Sequence, residues 1–366
     1  MYYRHGDIEI VGIGEHARWT ASGSGRFAAL GEQLTHALAS VAPALRSQVV
    51  ALGSGSFDPN GEAHLVVPRT AIVRRGREVS IVSIGQGDTE PTRRSLGAAP
   101  KVEWPHIDSV YRDRVRAALS RLDSGFGKVV VARAITGQVT TAGDERAPLH
   151  KLTAEYPDTH IFALDGLWGA SPETLVRVDR RRVSARVLAG SAARGWDSAT
   201  DSAAAAALLA STKDREEHAY AVQSVTGALA PHCRSVVGAA VPFTLRLANV
   251  WHLASDVAGV LGSTSTMFDL IDSLHPTAAV AGVPTDRALH TIAEVEAIPR
   301  ENYAGPIGWV DGAGNGEWAI ALRCAQWHDS SIVAHAGAGI IEGSDPDSEF
   351  EETELKFRPI RDALAG

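Results

Sequence analysis

The chain has 366 residues, of which 45% are hydrophobic and 21% charged. These are globular proportions that exclude a disordered, collagen-like or disulfide-stapled polymer. Lysine plus arginine total 35 against 43 for aspartate plus glutamate, a net charge of −8 without a clustered basic stripe, so nucleic acid and anionic membranes are poor partners. Cys233 and Cys324, the two cysteines, form no C-x-x-C pair and cannot cage a zinc ion alone. MYYRHGDIEIVGIGEHARW carries charges where a signal peptide needs an apolar stretch. No later run approaches the roughly 20 apolar residues of a membrane span, so the reading is a soluble cytoplasmic protein.

In chain order, the first hundred residues read as a strand, a helix and a hairpin. Phe27, Leu30, Leu34 and Leu38 recur at helical spacing, and TAIVRRGREVSIVSIG alternates around Arg75-Gly76. Residues 86 to 105 lose all periodicity and read as a surface linker. A helix is expected over 106 to 123, followed by the strand KVVVARAI, a short helix, and strands at FALDGLWGA and ETLVRV, the second turning at Asp179 into RRVSARVLAG. The alanine-rich stretch from Asp201 to Ala230 reads as one long helix capped by Asp201 or Ser202. Strands near 244 to 254, helices over 267 to 274 and 285 to 298, a hairpin GWVDGAGNGEWAIALRCAQW, the strand SIVAHAGAGI and a helix from about Asp345 complete the chain. Hairpins and helices alternate without β-α-β spacing, which predicts an α+β fold of large, mainly antiparallel sheets flanked by helices.

No phosphate loop, H-E-x-x-H or G-x-S-x-G is present. AGAGI at 336 to 340 opens no helix and reads as a tight backbone corner or, weakly, a dinucleotide site. Two late helical segments carry carboxylates at matching spacing: Glu349, Glu352 and Lys356 share one face, and Asp214 and Glu217 are three apart. Carboxylates from two helices suit Mg²⁺, which takes a few acidic oxygens and fills its octahedron with water and substrate. Solvated faces laced by ion pairs fit the same pattern. Lys128 begins and Arg323 interrupts a strand that otherwise reads as buried, so each is paired, holds an anion, or snorkels from an edge. His252 reads as a core histidine, and Glu173 as an ion-pair partner for Arg177 or an acid.

Together, KVVVARAI, GASPETLVRV, VLAGSAARG, LLASTKDREEHAYAV, VWHLASDVAGVL, LHPTAAVAGVP, YAGPIGWVDGAGNGEWAIALRCA and AGAGIIEGSDPDSEFEETELKF resemble the chorismate-utilising enzymes, most of all the isochorismate synthases. The resemblance starts near residue 50 and is dense after 125. It implies one enzyme domain over 1–366, with a variable N-terminal subregion over 1–100 and a catalytic core over 105–366. It further implies Mg²⁺ on Glu217 and Glu352, with Glu349 acting through water and Asp214 nearby. The substrate chorismate, a ring dianion, would meet Gly190, Ser191, His252, Ala279, Tyr303, Leu322, Arg323, Gly337 and Lys356.

By the same resemblance Lys128 is the base that activates water and Glu173 the acid that protonates the departing hydroxyl, each in the protonation state opposite to its habit. Ala189 replaces the lysine nucleophile of aminodeoxychorismate synthases. Lys128 favours water over the ammonia of anthranilate synthases, so no amidotransferase partner is expected and a monomer suffices. Ala279 or Val280 stands where salicylate synthases tend to carry a hydroxyl. Salicylate synthesis, and a silent chorismate-binding module, are the alternatives.

Overall fold

A computed structural model describes residues 1–84, 95–104, 110–239, 241–246, 250–296 and 298–365, apart from the side chains of Lys213 and Glu217. Three strands open the chain: β1 (Tyr2–His5), β2 (Ile8–Ile13) and β3 (Ala17–Ser22). Helices α1 (Arg26–Ala39) and α2 (Pro43–Arg46) lead to β4 (Val50–Gly55), β5 (Glu62–Val67), β6 (Thr70–Arg75), β7 (Glu78–Ser83) and β8 (Lys101–Glu103). Next come α3 (Tyr111–Leu119), β9 (Lys128–Thr141), α4 (Arg146–Glu155), β10 (His160–Leu164), β11 (Leu167–Ser171), β12 (Thr174–Asp179) and β13 (Arg182–Ala193). Helices α5 (Ser198–Ala210) and α6 (Thr212–Leu229) precede β14 (Cys233–Gly238), β15 (Phe243–Arg246) and β16 (Val250–Leu261). The chain ends with α7 (Met267–Leu274), β17 (Gly282–Val283), α8 (Thr285–Val295), β18 (Pro306–Asp311), β19 (Gly316–Ile320), β20 (Cys324–His328), β21 (Ser331–Ile340) and α9 (Pro346–Leu364).

Among the described residues the strands form two sheets. An 11-stranded sheet runs β17-β9-β21-β20-β11-β10-β1-β2-β6-β7 with β8 on β9, and a 10-stranded sheet runs β14-β16-β13-β12-β19-β18-β4-β5-β3 with β15 on β16. Pairings such as β9 with β21 and β13 with β16 are antiparallel, as the hairpin-rich sequence requires. The main core joins side chains of both sheets with α1, α3, α7 and α8. Leu30 and Trp318 are fully buried there, and the Phe27 and Trp318 rings meet edge to face at 5.3 Å. A second cluster packs α4 and α9 on the 11-stranded sheet through Leu152, Trp168, Phe357 and Ile360. The expected α+β architecture of antiparallel sheets flanked by helices is therefore observed.

Several elements differ from expectation. The alanine-rich stretch is two helices, because Ser211 adopts an extended backbone and caps α6 by accepting from the Asp214 N–H. Asp197, not Asp201 or Ser202, caps α5, while Asp201 is held by Arg194 at 2.6 Å and Trp251 at 2.9 Å. AGAGI is no corner but the end of β21, paired along its length with β9. The expected linker lies partly outside the described residues, and within it Lys101–Glu103 forms β8. The helix expected over 106 to 123 is observed as Tyr111–Leu119, its first residues lying outside those described.

Gly308 of β18 shows how tightly the 10-stranded sheet is drawn together. A Cβ there would sit 2.3 Å from the Glu317 carbonyl and 2.6 Å from the Trp318 Cα, both backbone atoms. Gly308→Ala is expected to cost about 3 kcal/mol or more, read as a lower denaturant midpoint with an unchanged slope.

Candidate active site

Two of the places where the chain passes between the two sheets lie side by side, and both carry a charge. After β11, Pro172 and Glu173 carry it across to β12, and after β19 the segment Ala321 to Arg323 returns it to β20. The crossings are bonded together: the Ile320 N–H donates to the Glu173 carbonyl at 3.1 Å, the Ser171 hydroxyl to the Ile320 carbonyl at 2.5 Å, and the Ala170 N–H to the Arg323 carbonyl at 3.1 Å. Arg323 takes a left-handed backbone, φ 48°, at the break. Gly169 permits the approach, since a Cβ there would meet the Arg323 carbonyl oxygen at 2.6 Å.

Glu173 is 9% exposed, and burial pushes its carboxyl up to about 7 although Lys128, Arg323 and Lys356 pull the other way. One buried acid thus feels three cations. Lys128 opens β9 opposite Val283 of β17, and its stem runs along Gly339, where a Cβ would come within 3.0 Å of Cε. Lys356 on α9 donates to the Gly337 carbonyl at 2.7 Å and to Glu352 Oε1 at 2.5 Å. Burial lowers the affinity of Arg323 for its proton, so Arg323 is not a snorkelling edge cation, and burial lowers Lys356 likewise. Arg177 lies 3.8 Å from Glu317, which removes it as the partner expected for Glu173.

On the other wall, the pairing of β13 with β16 slips between Leu188 and Ser191, and Gly190 takes φ 78° in the bulge. The bulge turns the Ala189 carbonyl toward His218 Nδ1 at 3.1 Å, whose Nε2 meets the Ser255 hydroxyl at 2.8 Å, so the buried His218 pins α6 onto the sheet. Beyond the bulge the Ser191 hydroxyl sits 2.8 Å from His252 Nδ1. Burial first, then Lys356 and Arg323, lower His252 to about 4, so the ring is neutral near pH 7. His252 is therefore a wall residue and not a core histidine: with Ser191, Arg323, Glu352, Leu355 and Lys356 it lines a cavity of about 330 Å³.

Of the acidic set, Glu349 and Glu352 occupy adjacent turns of α9. Burial, then the neighbouring Glu352 charge, raise Glu349 against a bond from Ser344. Burial opposes ionisation of Glu352 too, but Lys356, Arg323 and His252 hold it below its ordinary value. Asp214 backs onto Gly190, where a Cβ would be 3.2 Å from its own. Glu217 belongs to α6, but its side chain lies outside the described residues.

Tyr303 is buried with its hydroxyl beside Gly337, 3.3 Å from where a Cβ would stand, and it interacts electrostatically with Arg323. Leu322 is buried immediately before Arg323. Ala279 sits in the turn before β17, whose shape is held by Arg300 donating to the Val280 carbonyl at 2.7 Å and the Val130 carbonyl at 2.8 Å.

Sequence reasoning missed Ser171, whose hydroxyl also accepts from the Glu173 N–H at 3.2 Å. It missed a network in which the Tyr3 hydroxyl meets His160 Nδ1 at 2.8 Å and Glu317 Oε2 at 3.3 Å, while His160 Nε2 meets the Thr174 hydroxyl at 2.8 Å beside Glu173. The hydroxyl residues Ser171 and Thr174 on either side of Glu173 were the available signal. His5, His160 and Glu317 are close enough to suggest a metal cluster, yet both His160 nitrogens are engaged and the rings stack at 3.7 Å instead of converging on a point.

The chorismate binding enzyme family model matches residues 98–365. Isochorismate synthase DhbC of Bacillus subtilis is 33% identical over 94% of this chain and 88% of its own length. Isochorismate synthase EntC of Escherichia coli is 33% identical over 84% of this chain and 79% of its own. The solved structure of MenF, the menaquinone-specific isochorismate synthase from Escherichia coli, superposes with a TM-score of 0.83 and 25% identity, covering 99% of this chain and 88% of that one.

A raised carboxyl has a signature in stability. Between pH 4.5 and about 7 the folded state keeps the Glu173 proton that the unfolded state has lost, so this contribution is complete below 4.5 and disappears as pH rises through about 7. Denaturant titrations across that window should show the wild type losing roughly 3 kcal/mol more than Glu173→Gln.

Proposed function

The chain belongs to the chorismate binding enzyme family, and from that premise we propose that it is an isochorismate synthase, an isomerase that moves a hydroxyl around the chorismate ring. The observation that carries the chemical assignment is the buried Glu173 raised to about 7 while in electrostatic reach of Lys128, Arg323 and Lys356. A carboxyl so placed is still protonated when substrate arrives and can donate to a departing hydroxyl.

In this reading Lys128 serves as the base, taking a proton from a water that adds at ring carbon 2. Glu173 gives its proton to the hydroxyl at carbon 4, which departs as water while the double bonds shift between the two carbons. Water enters and water leaves, so the formula is unchanged. Each turnover leaves Lys128 protonated and Glu173 ionised, and one proton must return before the next. Arg323, Lys356, Tyr303 and the backbone of Gly190 and Gly337 hold the substrate carboxylates, which the net charge of −8 makes necessary. Ser191 fixes the edge of neutral His252 against the ring, with Ala279 and Leu322 shaping the wall.

Glu349 and Glu352 offer oxygen donors only, crowd one another, and are both partly desolvated, which fits a hard divalent ion. With Glu217 and Asp214 from α6 they would hold Mg²⁺, which when bound supplies positive charge beside a substrate carboxylate. On this reading the whole chain works as one enzyme domain, a cytoplasmic monomer without an amidotransferase subunit, its first hundred residues completing both sheets. Among the described residues no helix is long and apolar enough to cross a membrane.

Incubating purified protein with chorismate and Mg²⁺ should give isochorismate in equilibrium with chorismate, and EDTA should stop conversion; salicylate plus pyruvate, or no conversion, would overturn the reading. Lys128→Ala and Glu173→Gln should each lower kcat by about 10² or more with an unchanged circular dichroism spectrum. Because the acid must be protonated, kcat/KM should fall as pH rises through about 7.

A further inference from the structure

Against Tyr303 the structure holds a second, smaller space that the reaction above does not use. Its volume is about 10 Å³, and its walls include Tyr303, Cys324, Gln326, Val333 and His335. The His335 ring, 8% exposed, stacks on Tyr303 with centroids 5.2 Å apart and planes 15° from parallel. His335 donates to the Pro299 carbonyl, and burial lowers its proton affinity to about 4, so the ring is neutral. Its Nε2 is buried without a protein partner, which makes Nδ1 the donor and leaves Nε2 as a lone-pair acceptor.

Gln326 Oε1 is in the same condition, buried and unmatched by any protein donor. The amide cannot flip to help, because its Nε2 already donates to the Asp165 carbonyl at 2.9 Å. Both residues wall the same space of roughly one water's size, which suits a single molecule that donates twice. Among the described residues no protein donor reaches either acceptor, and leaving a buried acceptor unmatched is unfavourable.

We propose that His335 and Gln326 hold one internal water, and that this fixed His335 ring is the platform that positions Tyr303 against the substrate carboxylate. His335 touches neither substrate nor reacting atoms; it acts through Tyr303, and the functional half of the proposal rests on the isochorismate synthase reading. Since the phenol binds the carboxylate equally before and during the reaction, losing the platform weakens binding without slowing the chemistry.

The test has two arms. A crystal structure of the unliganded wild type should show one solvent peak within hydrogen-bonding distance of His335 Nε2 and Gln326 Oε1, lost in Gln326→Met; an empty space there overturns the water. In kinetics, His335→Ala should raise KM for chorismate roughly fivefold with kcat within about twofold, and should add nothing in a Tyr303→Ala background. The same KM increment in both backgrounds, or a fall in kcat instead, overturns the positioning role. The crystallographic arm needs no turnover, so it stands or falls apart from the functional reading.

Discussion

A carboxyl that keeps its proton while facing three cations is the constraint on which the rest depends. Cations alone would ionise Glu173; burial at the seam between the sheets outweighs them and sets it near 7. That balance needs a dry crossing point, and the fold supplies it where two of the chain's crossings between the sheets run side by side, with Ser171 and Ile320 tying them together. The left-handed turn at Arg323 and the absence of a side chain at Gly169 are local consequences of the same crowding.

The helices that deliver the other charges are fixed by groups with no part in the chemistry. Arg133, 1% exposed on the strand that begins with Lys128, donates to Thr353 at 2.7 Å and to Glu354, and its guanidinium lies 4.3 Å from the Phe350 ring and 4.9 Å from that of Phe357. It thereby locks α9, and so Glu349, Glu352 and Lys356, to the strand that carries Lys128. His218 does the same for α6 through the Ala189 carbonyl. Both pins bridge elements far apart in sequence, so truncating either leaves a buried polar group unmatched as well as loosening the helix.

Much of this was legible beforehand. A cation at the start of one apolar strand and inside another marked Lys128 and Arg323, and the three-residue spacing of Glu349 and Glu352 set them on one face of α9. What was not legible was non-local. Nothing in AIALRCAQW says that the strand breaks at Arg323 and changes sheets, because that follows from β12 and β11 pairing with the two halves. The alternation of the first 22 residues is short and mixed with charge, so three strands read as one. Ser211 resembles any serine in a helix until its extended backbone is seen, and the Tyr3, His160, Glu317 and Thr174 network joins residues up to 314 positions apart.

The protonation state of Glu173 itself tests the account most directly. Isotope-edited infrared difference spectra of the wild type against Glu173→Gln, recorded from pH 5 to 9, isolate its carbonyl stretch. The account predicts a protonated carboxyl band that is present at pH 5 and titrates away around pH 7. A Glu173 already fully ionised at pH 5 would contradict it.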